Sequence, residues 1–127
     1  MKTKYAIALA VVSCMCGAAA VQGLQAQTAA KKAYTVSELE TLDPKLAADV
    51  AVRIAKAQET AGGHNFKTGG GKVTAMDGPP PQRVAITEWE SVEKAQAFFK
   101  SKAWNDLATD RDKALKTIRR YVVEVRD

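Results

Sequence analysis

The sequence predicts a small α+β sandwich with the element order β-α-β-β-α-β. Three observations lead there. Between Ala33 and Val125 the apolar pattern passes from alternation to helical spacing and back, reading strand, helix, strand, strand, helix pair, strand. Both cysteines, Cys14 and Cys16, stand near the start, and His64 is the single histidine. The chain has 127 residues, enough for one domain behind a leader.

Lys2 and Lys4 precede an apolar run from Tyr5 to Val12 that continues with small residues to Val21. A basic start, a short apolar core and then small residues describe an export signal. Leu24-Gln25-Ala26 offers a cut after Ala26. Residues 1–26 are therefore expected to be a signal peptide, 27–32 a linker and 33–127 the folded domain, periplasmic or secreted. Two alternatives stay open. Tyr5 to Val21 could be retained as a membrane anchor, near the lower end of the ~17–25 residues that span a bilayer. Val11-Val12-Ser13-Cys14 also resembles a lipoprotein box. Both cysteines belong to the leader, so the mature domain is expected to have no disulfide, thiol nucleophile or cysteine ligand. A domain of about 100 residues buries a modest share of its surface and gains from a partner subunit. The formal charge is +5, or +3 without Lys2 and Lys4, and the basic residues are mixed with acids. Nucleic-acid binding needs a clustered basic face, so that class is set aside.

Each element has a local reason. Ala33 to Glu40 alternates, with Tyr34, Val36, Glu38 and Glu40 on one side. Asp43-Pro44 starts a helix, because Asp accepts free backbone N–H groups and Pro loses nothing at the first position. Leu46, Val50 and Ile54, with Ala47 and Ala51, form its apolar face, and Gly62-Gly63 ends it. His64 to Thr68 is a short strand, and Gly69-Gly70-Gly71 reads as a glycine bulge or loop. Val73 to Met76 resumes extended structure before the Asp77-Gly78 and Pro79-Pro80-Pro81 turn, which no helix crosses. Arg83 to Trp89 is the third long strand. Ser91 caps a helix buried through Val92, Ala95, Phe98 and Phe99. Ser101 caps a second helix, running to about Thr117 with the stripe Trp104, Leu107, Ala108, Leu115 and Ile118. Arg119 to Arg126 alternates as the last strand. This order with right-handed crossovers gives a four-stranded antiparallel sheet with helices on one face. Val36, Val84, Ile86 and Val122 are too apolar to leave in water, so a second copy packed sheet to sheet is expected.

Asp43-Pro44, Ala61-Gly62-Gly63, Gly70-Gly71-Lys72-Val73, Asp77-Gly78, Arg83-Val84, Glu88 to Ser91, Ala95, Ser101 and Trp104 together resemble one family in order and spacing. It is the domain of unknown function 1330, within the dimeric α+β barrel superfamily. The resemblance covers Ala33 to Val125. It implies a ferredoxin-like protomer that pairs into a barrel, in a superfamily that includes small monooxygenases, dismutases, decyclising enzymes and proteins without demonstrated activity. Fold analogy supplies no reaction. Where similar sequences often have an aromatic-Tyr pair this one has Phe98-Phe99, and where they have Tyr it has Trp104, so two phenolic hydroxyls are absent. Thr68 stands where they often have Arg.

Five polar or aromatic residues are candidates. Arg111 falls within the apolar stripe; it either snorkels to a strand glutamate or holds an anionic group of a ligand with its planar donor fork. Trp104 would stack beside it. Glu38 and Glu88, read as lying on parallel neighbouring strands, fall at the same sheet end beside Arg119 and Arg120. They form either a salt-bridged rim or a pair of carboxylates sharing a proton, one with a raised pKa. His64 is either an exposed loop-edge side chain or a general base. One histidine without spaced partners makes no metal site. The glycine run lacks the lysine and hydroxyl of a phosphate loop, and no haem or flavin motif is evident, so no cofactor is expected. The leading reading is an exported homodimer that binds a small, mostly apolar ligand between sheet and helices through Arg111, Trp104, Glu88 and Glu38. A cofactor-free enzyme using His64 or Glu88 as base, and a structural dimer without ligand, are the other two readings.

Overall fold

A computed structural model describes residues 31–127. The expected leader at 1–26 and the start of the linker lie outside the described residues. Strand β1 (Ala33–Thr41) leads into helix α1 (Pro44–Thr60). Asp43 caps that helix, its carboxylate accepting from the Leu46 amide at 3.1 Å, with Pro44 in the first turn. Gly62, at φ +97°, turns the chain out of the helix in the left-handed region that glycine reaches without strain. Strands β2 (His64–Asn65) and β3 (Arg83–Trp89) follow, then helix α2 (Val92–Phe99), capped by Ser91. Two short helices, α3 (Lys102–Asn105) and α4 (Ala108–Ala114), precede strand β4 (Leu115–Glu124).

The sheet has four strands in the order β2-β3-β1-β4, with every neighbouring pair antiparallel. This corrects the relation expected for strands one and three. The α1 crossover returns the chain parallel to β1, and the connection from β2 reverses it, so β3 must run against β1. Tyr34 stands opposite Glu88 and Glu38 opposite Val84. The two glutamates are therefore four residues, roughly 13 Å, apart along the sheet rather than at one end.

Two further expectations change. The helix begun at Ser101 does not run to Thr117: it breaks after Asn105, and Leu115 is already extended. The Ala114 carbonyl is taken by the amides of Leu42 and Asp43, at 2.8 and 3.2 Å, and Leu115 pairs with Thr41. Tertiary pairing thus claims a segment whose β-branched Thr117 and Ile118 favour strand. The strand expected at His64 to Thr68 is regular only through Asn65. Lys67 sits at φ +59°, outside extended geometry, though the Phe66 amide and the Thr68 hydroxyl still reach the Ile86 and Val84 carbonyls. Residues 73–76 form no strand.

Side-chain parity sorts the sheet into two faces. Ala33, Thr35, Ser37 and Leu39 of β1 face the helices, in register with Trp89, Thr87, Ala85 and Arg83 of β3. The core lies on this side in two clusters. Leu39, Ala47, Val50, Ala114 and Leu115 form one; Trp89, Ala95, Phe98 and Trp104 form the other, with Val122 against it. Ile54 packs on both. Trp89 is 1% exposed, and its indole N–H donates to the Thr35 hydroxyl at 3.1 Å. The opposite face carries Tyr34, Val36, Val84, Ile86, Tyr121 and Val123, with Tyr121 and Val123 about half exposed.

Candidate functional site

Beyond the Trp89 end, the helix-facing side of the sheet is furnished with small side chains. Ser37 and Ala85 stand side by side in the register, and α1 answers them with Ala48, Ala51 and Ala55. Small residues on both sides of an interface leave space between them, and here they leave a cleft of about 560 Å³. Leu39 and Leu115 close one end, Phe99 and Trp104 the other, and the turn at Gly69 and Gly70 lies along the edge. That turn is closed by the Gly71 amide on the Thr68 carbonyl at 3.0 Å, so the glycine run is a tight turn at the cleft and not a strand bulge.

The charged residues of the cleft all have one sign. Lys67, Arg83, Arg111 and Arg120 line it, and no aspartate or glutamate does. The Arg111 side chain is 15% exposed. Its guanidinium lies 3.8 Å from the centre of the Trp104 ring and donates to the Trp104 carbonyl at 2.8 Å. Its contact with Asp112 is longer, 3.6 Å, and that carboxylate is 74% exposed. Arg120 approaches the same ring at 4.8 Å and the Phe99 ring at 4.9 Å. Its Nε donates to the Ser37 hydroxyl at 2.9 Å. Burial, with the Arg111 charge nearby, pulls the Arg120 guanidinium down to about 10. Arg83 is also lowered, by burial. Among the described residues neither Arg83 nor Arg120 has a carboxylate partner.

Of the residues singled out from sequence, Arg111 and Trp104 line this cleft. Arg111 pairs with neither strand glutamate; the break between α3 and α4 lets it fold back on Trp104 instead. Glu38 and Glu88 share the opposite face of the sheet. The Arg119 guanidinium donates twice to Glu38, at 2.8 Å each. Glu88 accepts from Lys32 at 2.8 Å and from Tyr34 at 3.2 Å. Those hydrogen bonds, Lys32 first, hold its carboxyl below the ordinary range against an opposing effect of burial. This is the reverse of the raised pKa considered for a proton-sharing pair. His64, opposite Glu88 in the register, is exposed and stands edge-on to Phe66 at 5.2 Å.

Sequence reading did not place Arg83 and Lys67 at the site, and it assigned Arg120 to the rim. Parity was the available signal. Arg83 alternates with Ala85, Thr87 and Trp89, while Arg120 shares a face with Val122 and not with Tyr121.

A four-stranded antiparallel sheet with helices on one face defines a ferredoxin-like α+β fold. The chain belongs to the family described as domain of unknown function (DUF1330), which matches residues 32–125. It is similar in structure to the RPA0582 protein of Rhodopseudomonas palustris, a protein of unknown function. That likeness has TM-score 0.61 at 14% identity, covering 84% of this chain and 92% of the other. SnoaB, a cofactor-independent oxygenase from Streptomyces nogalater, gives TM-score 0.57 at 13% identity, covering 77% and 96%. At such identities the likeness is one of fold. No curated protein matches the chain.

Proposed function

We propose that this protein is an exported homodimer that binds a small organic molecule in the cleft between α1 and the sheet. The observation that carries the reading is the cleft itself. Its volume of about 560 Å³ falls within the ~300–1,000 Å³ of ordinary small-ligand sites. Its walls are mostly apolar, with a few polar groups converging from different elements, the usual makeup of such sites. Arg111 and Trp104 supply the contacts at one end. Glu38 and Glu88, on the other face, belong to the assembly side of this reading.

The dimer rests on the bare sheet face. Val36 and Ile86 are cross-strand neighbours at its centre, flanked by Tyr121 and Val123. An apolar sheet face without helices gains most from a second copy of itself, related by a two-fold axis. A cofactor-free proton abstraction by His64 or Glu88 gains no support, because neither lines the cleft and Glu88 is held ionised by Lys32 and Tyr34.

Native mass spectrometry of the protein isolated gently from the cell envelope tests the reading. The expected result is a dimer of leader-free chains carrying a reproducible small adduct that Arg111→Ala loses. A monomer without adduct, at protein concentrations well above micromolar, would overturn it.

A further inference from the structure

We propose that the cleft is specific for organic anions, with an acidic head such as a carboxylate set between Arg111 and Arg120 and an apolar body along Ala48, Ala51 and Ala55. The inference rests on the cleft-binding reading and deepens it by naming the chemistry of the ligand.

Two guanidinium groups approach one indole ring, at 3.8 and 4.8 Å, and no acidic residue lines the space around them. Like charges held together in a partly dry site repel, and the repulsion is felt at Arg120, whose proton is loosened by burial and by Arg111. A purely structural arginine in such a place ordinarily has a carboxylate partner, as Arg119 has Glu38 on the other face. Arg120 has hydroxyls only: Ser37 at 2.9 Å and Thr117 at 3.5 Å. A guanidinium carries five N–H donors, and these two hydroxyls do not use them all, while Arg120 itself lines the cleft. The third arginine, Arg83, reaches the cleft from β3, and an added Cβ at Gly69 would lie 3.7 Å from its Nε. That spacing is ordinary van der Waals contact, so the turn packs beside the side chain without crowding it. An anion placed between Arg111 and Arg120 would relieve their repulsion and accept their free donors, gains that no neutral or cationic ligand of the same shape receives. The α1 wall is apolar at Ala48, Ala51 and Ala55, which favours an apolar body beside them.

The test uses three probes with one ring system and different heads: 1-naphthoate, 1-naphthalenemethanol and 1-naphthylmethylammonium. Each is titrated into the purified protein by calorimetry, with the Trp104 indole N–H followed by NMR. The expected order is naphthoate, then alcohol, then ammonium. Naphthoate should bind about tenfold or more tighter than the alcohol, as one charge-assisted hydrogen-bond pair implies. In Arg120→Gln the ratio of naphthoate to alcohol affinity should fall several-fold, because the head then keeps only Arg111. Equal affinities, or tightest binding of the ammonium, in the unmodified protein would overturn the anion inference and leave the cleft reading intact. Failure of all three to bind, or binding that leaves Trp104 unmoved, would overturn both. The comparison of heads is complete in the unmodified protein, so it stands even if the variant does not fold.

Discussion

Arg111 closes over Trp104 twice, stacking its guanidinium 3.8 Å from the ring centre and donating to the carbonyl of the same residue at 2.8 Å. The Trp104 carbonyl also accepts from the Leu107 amide at 3.2 Å, so the arginine adds a second donor where α3 ends and braces the cleft wall. Arg111→Ala should therefore cost about 1–2 kcal/mol of stability, the sum of a modest cation–π contact and a net hydrogen bond. Urea unfolding followed by tryptophan fluorescence measures it. A loss below a few tenths would mean that the contact is incidental.

Arg120 should behave in the opposite way. Burial and the nearby Arg111 charge pull its guanidinium down to about 10, so the folded state holds this proton less firmly than the unfolded chain does. The penalty is full at neutral pH and fades as pH rises above about 10 toward the ordinary arginine range. Arg120→Met removes it, and stability at pH 7 should rise by about 1–2 kcal/mol, a figure discounted for the side chain's partial contact with water. The same substitution should weaken naphthoate binding, and in the unmodified protein that binding should fall as pH passes about 10. A thermal melt of the variant with and without naphthoate separates the two effects.

Gly63 backs onto the core. A Cβ there would lie 2.9 Å from both the Thr87 methyl and the Trp89 ring, and Trp89 is fixed by its bond to Thr35. Gly63→Ala should destabilise by ~1–3 kcal/mol through overpacking, visible as a lower urea midpoint with an unchanged slope.

The Glu88 cluster predicts a pH dependence at both extremes. Glu88 is held below its ordinary 4.5, so the stability it contributes is present above that pH and lost as pH falls further through the folded value. Lys32 is raised above 10.5 by its hydrogen bond to Glu88, so its contribution is present below 10.5 and lost as pH rises through the folded value. Glu88→Gln should flatten both limbs of the stability–pH curve. An unchanged acid limb would show that Lys32 and Tyr34 do not hold the carboxylate in solution.

Assembly is tested at the centre of the bare sheet face. Ile86→Asp, which leaves the cleft untouched, should turn a dimer into a monomer at micromolar concentration, since it puts a charge where two apolar faces would meet. Sedimentation velocity reads the outcome, and a dimer that survives the change would place the interface elsewhere.

Much of this fold was legible in local patterns because local chemistry causes them. Asp43-Pro44, Ser91 and Ser101 each cap the helix they announce, and Arg83 to Trp89 is the strand that its composition describes. The misreadings came where a partner far along the chain decides. Leu115 has a place in a helical stripe by spacing, yet pairing with Thr41 makes it strand. The cleft was half legible. Trp104 and Arg111 were found, but for a stripe that the structure breaks into α3 and α4. Glu38 and Glu88 were drawn together by assuming parallel strands, and the crossover places them apart.

The sequence alone determined the element order, the helix ends and the alternation that divides the sheet into two faces, because caps, glycine turns and side-chain periods act over a few residues. Tertiary structure decided what those faces enclose. Only the register of β1, β3 and β4 sets Ser37 beside Ala85 and Arg120, opposite the alanines of α1, and opens a cleft there. Only the fold-back of α4 brings a second guanidinium to the same indole. Cavities and like-charge contacts are sums over distant segments, and no local pattern contains them.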